Sequence, residues 1–479
     1  MTLRTASLLL VLITLLTTLF PTAPAYDLVI LNGRVIDPET KTDAVRNLGI
    51  TNGKITAVSN NRLSGNTVID ARGLVVSPGF IDLHQHGQNE ENYRFKALDG
   101  VTTALELEVG TGDVDRWYAE REGKSLINFG VSAGHLAARM AAMKEPVTFL
   151  PTGEAARRAA TDAEIAEMKQ RIEQGLKRGA LAVGFGIQYT PNASNWEILE
   201  LFRVAARFGA SCHVHMRSAG AKDPGGSTQA LEEVISAAAI TGAPLHVVHI
   251  HSTGGPATPK LLQMIGEARR RGLDITTECY PYIAGMTEIQ SAIFNEGWQE
   301  VFGIDYNDLQ WAATGERLTK ETFEKYRKTG GMVAVFSMTE EIVREALRNP
   351  LTIIASDGIL DNGKGHPRTA GTYSRVLGKY VREDGTLTLM DALTKMTLMP
   401  AKRLETRAPM MKSKGRIRVG ADADLAIFDP QSIADRATFQ EPAQAATGMR
   451  FVIVNGVVIV KDGQVQPNVH PGGPIRAPF

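Results

Sequence analysis

Two hydrophobic rhythms divide this chain. At both ends apolar and polar residues alternate: "YDLVILNGRVIDPET", "NLGITNGKITAVS" and "NTVIDARGLVVSPG" early, "GADADLAIFDP" and "RFVIVNGVVIVKDGQ" late. Alternation of period two marks strands with one buried face. The pairs Asn32-Gly33, Asn52-Gly53 and Asn455-Gly456 read as hairpin turns, whose two central residues need positive φ. The ends are expected to pair into one small β-sandwich, residues 26–77 with 415–465, followed by a poorly ordered tail at 466–479.

Between them, over residues 78–414, short apolar runs alternate with helical patterns. Strands are expected at Gly79–Leu83, Val101–Leu107, Ile127–Ala133, Ala180–Phe185, Ala210–His215, Pro244–His249, Asp274–Cys279 and Leu351–Ser356. Helices fall between several of them. "TDAEIAEMKQRIEQGLKRG" starts at a capping Thr161, carries early acids and late bases, and stops at Gly179. Eight strands with intervening helices predict a (β/α)8 barrel, whose chemistry sits at the C-terminal strand ends. The seventh and eighth strands are separated by an insertion, about 285–350, which reads as helical and polar with several aromatics. A connection of that length is commonly functional, such as a lid.

The polar residues at those strand ends form a set. The first strand runs into His84-Gln85-His86, the fifth into His213-Val214-His215, the sixth into His246, His249 and His251, and the eighth into Ser356-Asp357. Residues two apart on a strand face the same way, about 6.6 Å apart, so His84 and His86 can share a cation. A single histidine at a strand end is usually structural. Three such ends plus a carboxylate, all on the side where a barrel does chemistry, point to a catalytic Zn²⁺ or a similar cation, one ion or two.

Composition narrows the partners. Fifty-two basic and 52 acidic side chains cancel, which leaves no electrostatic footprint for nucleic acid or an anionic membrane. The substrate is expected to be a small molecule, and nothing in the pattern sets an oligomeric state. Residues 1–25 carry Arg4, an apolar run over Ala6–Phe20, and Ala23-Pro24-Ala25. That is the layout of a cleavable export signal, with an uncleaved anchor as the alternative. The mature chain is expected to begin near Tyr26 in the periplasm or outside the cell, with no membrane segment. The only two cysteines, Cys212 and Cys279, lie in apolar strands and read as buried free thiols, the alternative being one disulfide.

Several segments resemble a known family. "PGFIDLHQHG" is similar to the first metal motif of the amidohydrolase superfamily. "HMRSAG", "HIHSTGG", "ECYPYIAGMT" and "SDG…HPRTAGTYSRVLG" resemble the N-acyl-D-amino-acid deacylases, and "GVTTALELEVG" looks closest to the D-glutamate deacylase branch. The resemblance spans nearly the whole mature chain. It implies one metal position at His84, His86 and Asp357 and another at His215 and His249, leaving His213 in the strand interior. D-aminoacylases place a bridging cysteine after the second strand. This chain has Glu106-Leu107-Glu108 there, so Glu108, or failing that Glu106, is expected to bridge. Asp357 is the implied base, and Arg368 the implied receptor for the substrate carboxylate. Tyr282, Tyr189 and Arg217 are further substrate candidates, with His251 where the family has lysine. The implied activity is metal-dependent hydrolysis of N-acyl-D-amino acids, with N-acyl-D-glutamate among them. The alternatives are another amidohydrolase acting on cyclic amides or dipeptides, and a metal-free interaction scaffold.

Overall fold

The computed structural model describes residues 26–478; the expected export signal lies outside the described residues. Eight strands make the barrel: β1 Phe80–Asp82, β2 Val101–Thr111, β3 Asn128–Gly134, β4 Ala182–Gly186, β5 Ser211–His215, β6 Leu245–Val247, β7 Ile275–Cys279 and β8 Thr352–Ile354. They are all parallel and neighbour one another in chain order. β8 returns to β1 through residues beyond both strand ends. Gln85 pairs with Gly358, and the Asp357 N–H donates to the His84 carbonyl at 2.7 Å. The barrel therefore closes at its C-terminal mouth, through the residues that carry the chemistry.

The helix at Asp162–Lys177 illustrates why the outer layer forms. Thr161 and Glu164 make a reciprocal capping box, and Ile165, Met168, Ile172 and Leu176 bury one stripe against the sheet. Each such burial contributes about 1.5–3 kcal/mol, and Thr161→Ala would remove about 1 kcal/mol. The strands are buried on both faces, as parallel barrel strands must be; even Thr102, Thr103, Glu106 and Glu108 of β2 are shielded from solvent.

Both chain ends enter one connected nine-stranded sheet. Val75–Pro78 pairs antiparallel with Leu425–Phe428, Val76 opposite Ile427. Leu48, Ile50, Val76, Leu425 and Ile453 belong to its core. Asn52-Gly53 and Asn455-Gly456 turn as expected, with positive φ at all four residues. Asn32-Gly33 does not. It sits inside the continuous strand Tyr26–Asp37, where the register slips between Ile30 and Gly33. Of this pair only Asn32 takes positive φ, and it serves a bulge there instead of a turn.

Two other segments differ from expectation. The C-terminal stretch is docked: the Ile475 N–H donates to the Phe129 carbonyl at 2.7 Å, Tyr118 Oη donates to the Ile475 carbonyl at 2.7 Å, and Ile475 is buried. Its Pro-Gly composition carries no periodicity, yet backbone bonds to the start of β3 hold it. The insertion is mixed α/β. Gly285–Glu288, Leu309–Trp311 and Met332–Val335 form a three-stranded antiparallel sheet over a core that includes Phe294, Trp298, Trp311 and Phe323. Strands of three or four residues are too short to display a period. Cys212 and Cys279 are free and buried. Among the described residues no helix is long and apolar enough to cross a membrane.

Candidate metal centre and substrate pocket

β1 ends at Asp82, and the alternation continues into His84 and His86. Glu106 and Glu108, two apart on β2, face the same interior. Glu108 is the meeting point. Its Oε2 lies 3.0 Å from His84 Nε2 and 3.2 Å from His86 Nε2, while its Oε1 lies 2.7 Å from His215 Nδ1 and 3.5 Å from His249 Nε2. Asp357 completes the first group, its Oδ1 3.1 Å from His86 Nε2 and 3.4 Å from His84 Nε2. Ligand atoms of His84, His86, Glu108 and Asp357 all lie within 4.8 Å of one another, and so do those of Glu108, His215 and His249. Two of these residues, His249 at φ 29° and Asp357 at φ 54°, hold left-handed backbone. Such strain in non-glycine residues costs about 1–3 kcal/mol and clusters at functional sites.

The donor set fits zinc on hydrogen-bond grounds. His84 Nδ1 is 2.5 Å from Glu278 Oε1, and His86 Nδ1 is 2.8 Å from Glu106 Oε2. Each Nδ1–H donates to its carboxylate, which leaves the Nε2 lone pairs converging 3.1 Å apart. His215 donates through Nε2 to Gln188 Oε1 at 2.6 Å, so its Nδ1 lone pair faces Glu108. His249 Nδ1 is held by Ser252 and Thr253 at 3.1 and 3.2 Å. Ring nitrogens and carboxylate oxygens brought this close are held by a proton or a metal ion between them, and outer hydrogen bonds that fix the tautomer are how proteins orient metal-binding imidazoles.

Electrostatics separates the two groups. Burial opposes charge on His84, but Asp357, Glu278 and Glu108 outweigh it and raise the imidazole well above its ordinary range. His86 behaves likewise: burial is overcome by Glu106, Asp357 and Glu108. His215 is lowered, first by burial and then by His249. Glu108 is held well below the usual carboxylate range because His84, His215 and His249 overcome its burial.

Beside the centre opens a cleft whose lining includes His86, Glu108, His215, His249 and Asp357. Arg368 and Tyr189 line it. The Arg368 guanidinium stacks 4.5 Å over the Tyr280 ring. Its Nη1 lies 2.9 Å from Asp357 Oδ2 but is not aligned to donate, and Nε and Nη1 are buried with no hydrogen-bond acceptor. Thr287 of the insertion donates to Tyr189 Oη at 3.4 Å. The other three expected substrate contacts do not line the cleft. Arg217 is forked onto Glu233 at 2.6 and 2.9 Å and also reaches the Pro191 carbonyl. Tyr282 is buried edge-on to His366 and donates to the Pro367 carbonyl at 3.4 Å, which props the loop before Arg368. His251 is buried with its ring 4.4 Å from Tyr280, and burial pushes its imidazole down to about 3. His213 sits in the barrel interior, its Nε2 3.1 Å from Ser211 Oγ. Glu278, Gln188 and Tyr280 were missed from sequence. Glu278 had one signal, a lone carboxylate near the end of an otherwise uncharged strand.

Known proteins of one family are similar to this chain over most of its length. A family model described as "Amidohydrolase family" matches residues 67–129 and 130–460. D-aminoacylase of Alcaligenes xylosoxydans xylosoxydans is 30% identical over 91% of this chain and 94% of its own length. N-acyl-D-glutamate deacylase of the same organism is 28% identical over 94% of this chain and 96% of its own. Among solved structures, N-acyl-D-glutamate deacylase from Bordetella bronchiseptica, complexed with zinc and a phosphonate mimic of the tetrahedral intermediate, matches with a TM-score of 0.81. Its identity is 27%, covering 94% of this chain and 100% of that one.

Proposed function

This chain belongs to the amidohydrolase family, and from that premise we propose that it is a metal-dependent hydrolase that cleaves the amide bond of N-acyl-D-amino acids to a carboxylate and a free D-amino acid. The observation that carries the reading is the position of Glu108 between two imidazole pairs, with Asp357 and Arg368 at the same cleft. His84, His86, Glu108 and Asp357 would hold one zinc, and Glu108, His215 and His249 a second. Zinc bound there supplies Lewis acidity that polarises the amide carbonyl and lowers the pKa of water.

The chain's own groups do the rest. Asp357 accepts a proton from the attacking water and returns it to the leaving nitrogen as the C–N bond breaks. Arg368, whose guanidinium also stands 2.9 Å from Asp357, receives the α-carboxylate in a charge-assisted contact that fixes the substrate's orientation. Tyr189 Oη donates towards the carbonyl oxygen. The insertion roofs the cleft and excludes water. Export is part of the same reading, supported by the leader-like residues 1–25; N-terminal sequencing from the producing cell should find a start near Tyr26, and an intact Met1 would remove it. The activity is tested by hydrolysis of paired N-acetyl-D- and N-acetyl-L-amino acids by the zinc-loaded protein. D-selective release of free amino acid is expected. Turnover of dihydropyrimidine or hydantoin rings alone would replace this reading by the cyclic-amide one.

A further inference from the structure

An N-acyl amino acid presents two groups besides its amide: the α-carboxylate and the side chain. The carboxylate needs a cation, and Arg368 is the one lysine or arginine among the described residues lining the cleft. An acidic side chain would need a second cation. Each nearby candidate is committed or placed elsewhere. Arg217 is neutralised by Glu233 in a fork at 2.6 and 2.9 Å. His251 is fully buried against Tyr280 and does not reach the cleft. Lys222 is exposed in an adjoining groove, lined also by Glu300, which meets the cleft at Ser252, Phe302 and Ser337 and lies beyond its apolar wall. Arg121 stacks 4.0 Å over Trp117, donates to the carbonyls of Gln88 and Trp117, and shares its groove with Glu106 and Asp361. In place of a cation, the cleft wall carries Phe149, Leu150, Met286, Ile293, Phe302 and Met332. Four of these six come from the insertion. Burying a carboxylate against such a wall without a partner is strongly unfavourable, whereas an aliphatic side chain gains by leaving water.

We infer that, within the deacylase reading on which this rests, the chain prefers N-acyl-D-amino acids with a neutral, apolar side chain, which lies against the apolar wall built by the insertion. Arg368 is then spent on the α-carboxylate alone.

The test compares kcat/KM of the zinc-loaded protein for N-acetyl-D-leucine, N-acetyl-D-methionine, N-acetyl-D-glutamine and N-acetyl-D-glutamate. Leucine and methionine should exceed glutamate by on the order of 100-fold, with glutamine between them. Ile293→Arg, which places a cation in the apolar wall, should narrow the leucine-to-glutamate ratio by about tenfold or more, roughly the gain from one charged hydrogen bond. Met286→Arg poses the same question should Ile293→Arg fail to fold. Glutamate turned over as well as leucine overturns the inference and leaves the deacylase reading standing. An unchanged ratio in a folded Arg variant also counts against it. No hydrolysis of any N-acetyl-D-amino acid overturns both.

Discussion

The two imidazole pairs that meet at Glu108 live in different surroundings. His84 and His86 face Asp357, Glu106 and Glu278 as well as Glu108. His215 and His249 face Glu108, and their other ring nitrogens rest on neutral groups: Gln188, Ser252 and Thr253. The first pair therefore attracts protons when no cation is present, and His215 sheds its own. A metal entering the first half must displace protons; one entering the second meets an imidazole already neutral. The second half should thus fill more readily, and the first, next to Asp357 and Arg368, should respond more to conditions.

The severest way to break this comparison is Glu108→Gln, since one carboxylate serves both halves. Bound zinc should fall towards nil and kcat/KM should drop by more than the roughly 10²–10⁴ expected for loss of a general base. His215→Ala should empty the second half; if zinc content stays at the wild-type level, that half is wrongly assigned. Next comes Asp357→Asn, which keeps shape but takes up no proton. It should cut kcat by about 10²–10⁴ while zinc remains at Glu108, His215 and His249. A near-normal kcat would mean that another residue moves the proton.

Acidity sharpens the comparison. His84 and His86 have raised values in the metal-free fold, so they hold protons at pH 6 that they release at higher pH. Zinc affinity of the first half should fall as pH falls, about tenfold per unit for each proton displaced. The second half should change less over the same range. Isothermal titration of the metal-free protein at pH 6 and 8 resolves the two; parallel slopes would contradict the difference in surroundings. Arg368→Met follows. It should raise KM roughly 10–100-fold for carboxylate-bearing substrates, with kcat little changed. A fall in kcat at constant KM would assign the guanidinium to Asp357 instead of the substrate.

Legibility in the sequence followed the same division. His84, His86, His215, His249 and Asp357 stand at ends of strands whose rhythm is plain, so strand alternation and local motifs reach them. Glu108 and Glu106 share one face two residues apart, and period alone does not rank them. The fold ranks them by depth: Glu106 grips His86 Nδ1 from behind, and Glu108 enters the centre. Glu278 was invisible as a partner because it meets His84 across 194 positions. Arg217 and Tyr282 look like binding residues in a motif, yet Glu233 and the Pro367 carbonyl claim them. The docked tail and the short strands of the insertion lacked any period to read. Asn32-Gly33 has the letters of a turn, but only Asn32 takes positive φ, at a bulge inside a continuous strand.

The smallest expected effect belongs to Glu278→Gln. Both oxygens of this buried carboxylate accept, from His84 Nδ1 at 2.5 Å and from His246 Nε2 at 2.9 Å. The His246 Nδ1 in turn lies 2.7 Å from Thr276 Oγ1, which donates to it. Glutamine offers one acceptor and one donor, so one imidazole N–H loses its acceptor. If that ring is His84, its proton moves to Nε2 and blocks the lone pair that faces the centre. Zinc affinity of the first half should then fall about 10–100-fold, the usual cost of losing an outer partner of a metal ligand. The second half, whose histidines make no contact with Glu278, should keep its affinity. Saturating zinc should restore most of the activity, which separates this variant from Asp357→Asn. Glu278→Asp, which keeps two acceptors at a shorter reach, should recover part of the loss. Equal weakening of both halves would mean that Glu278 supports the barrel as a whole and not His84 in particular.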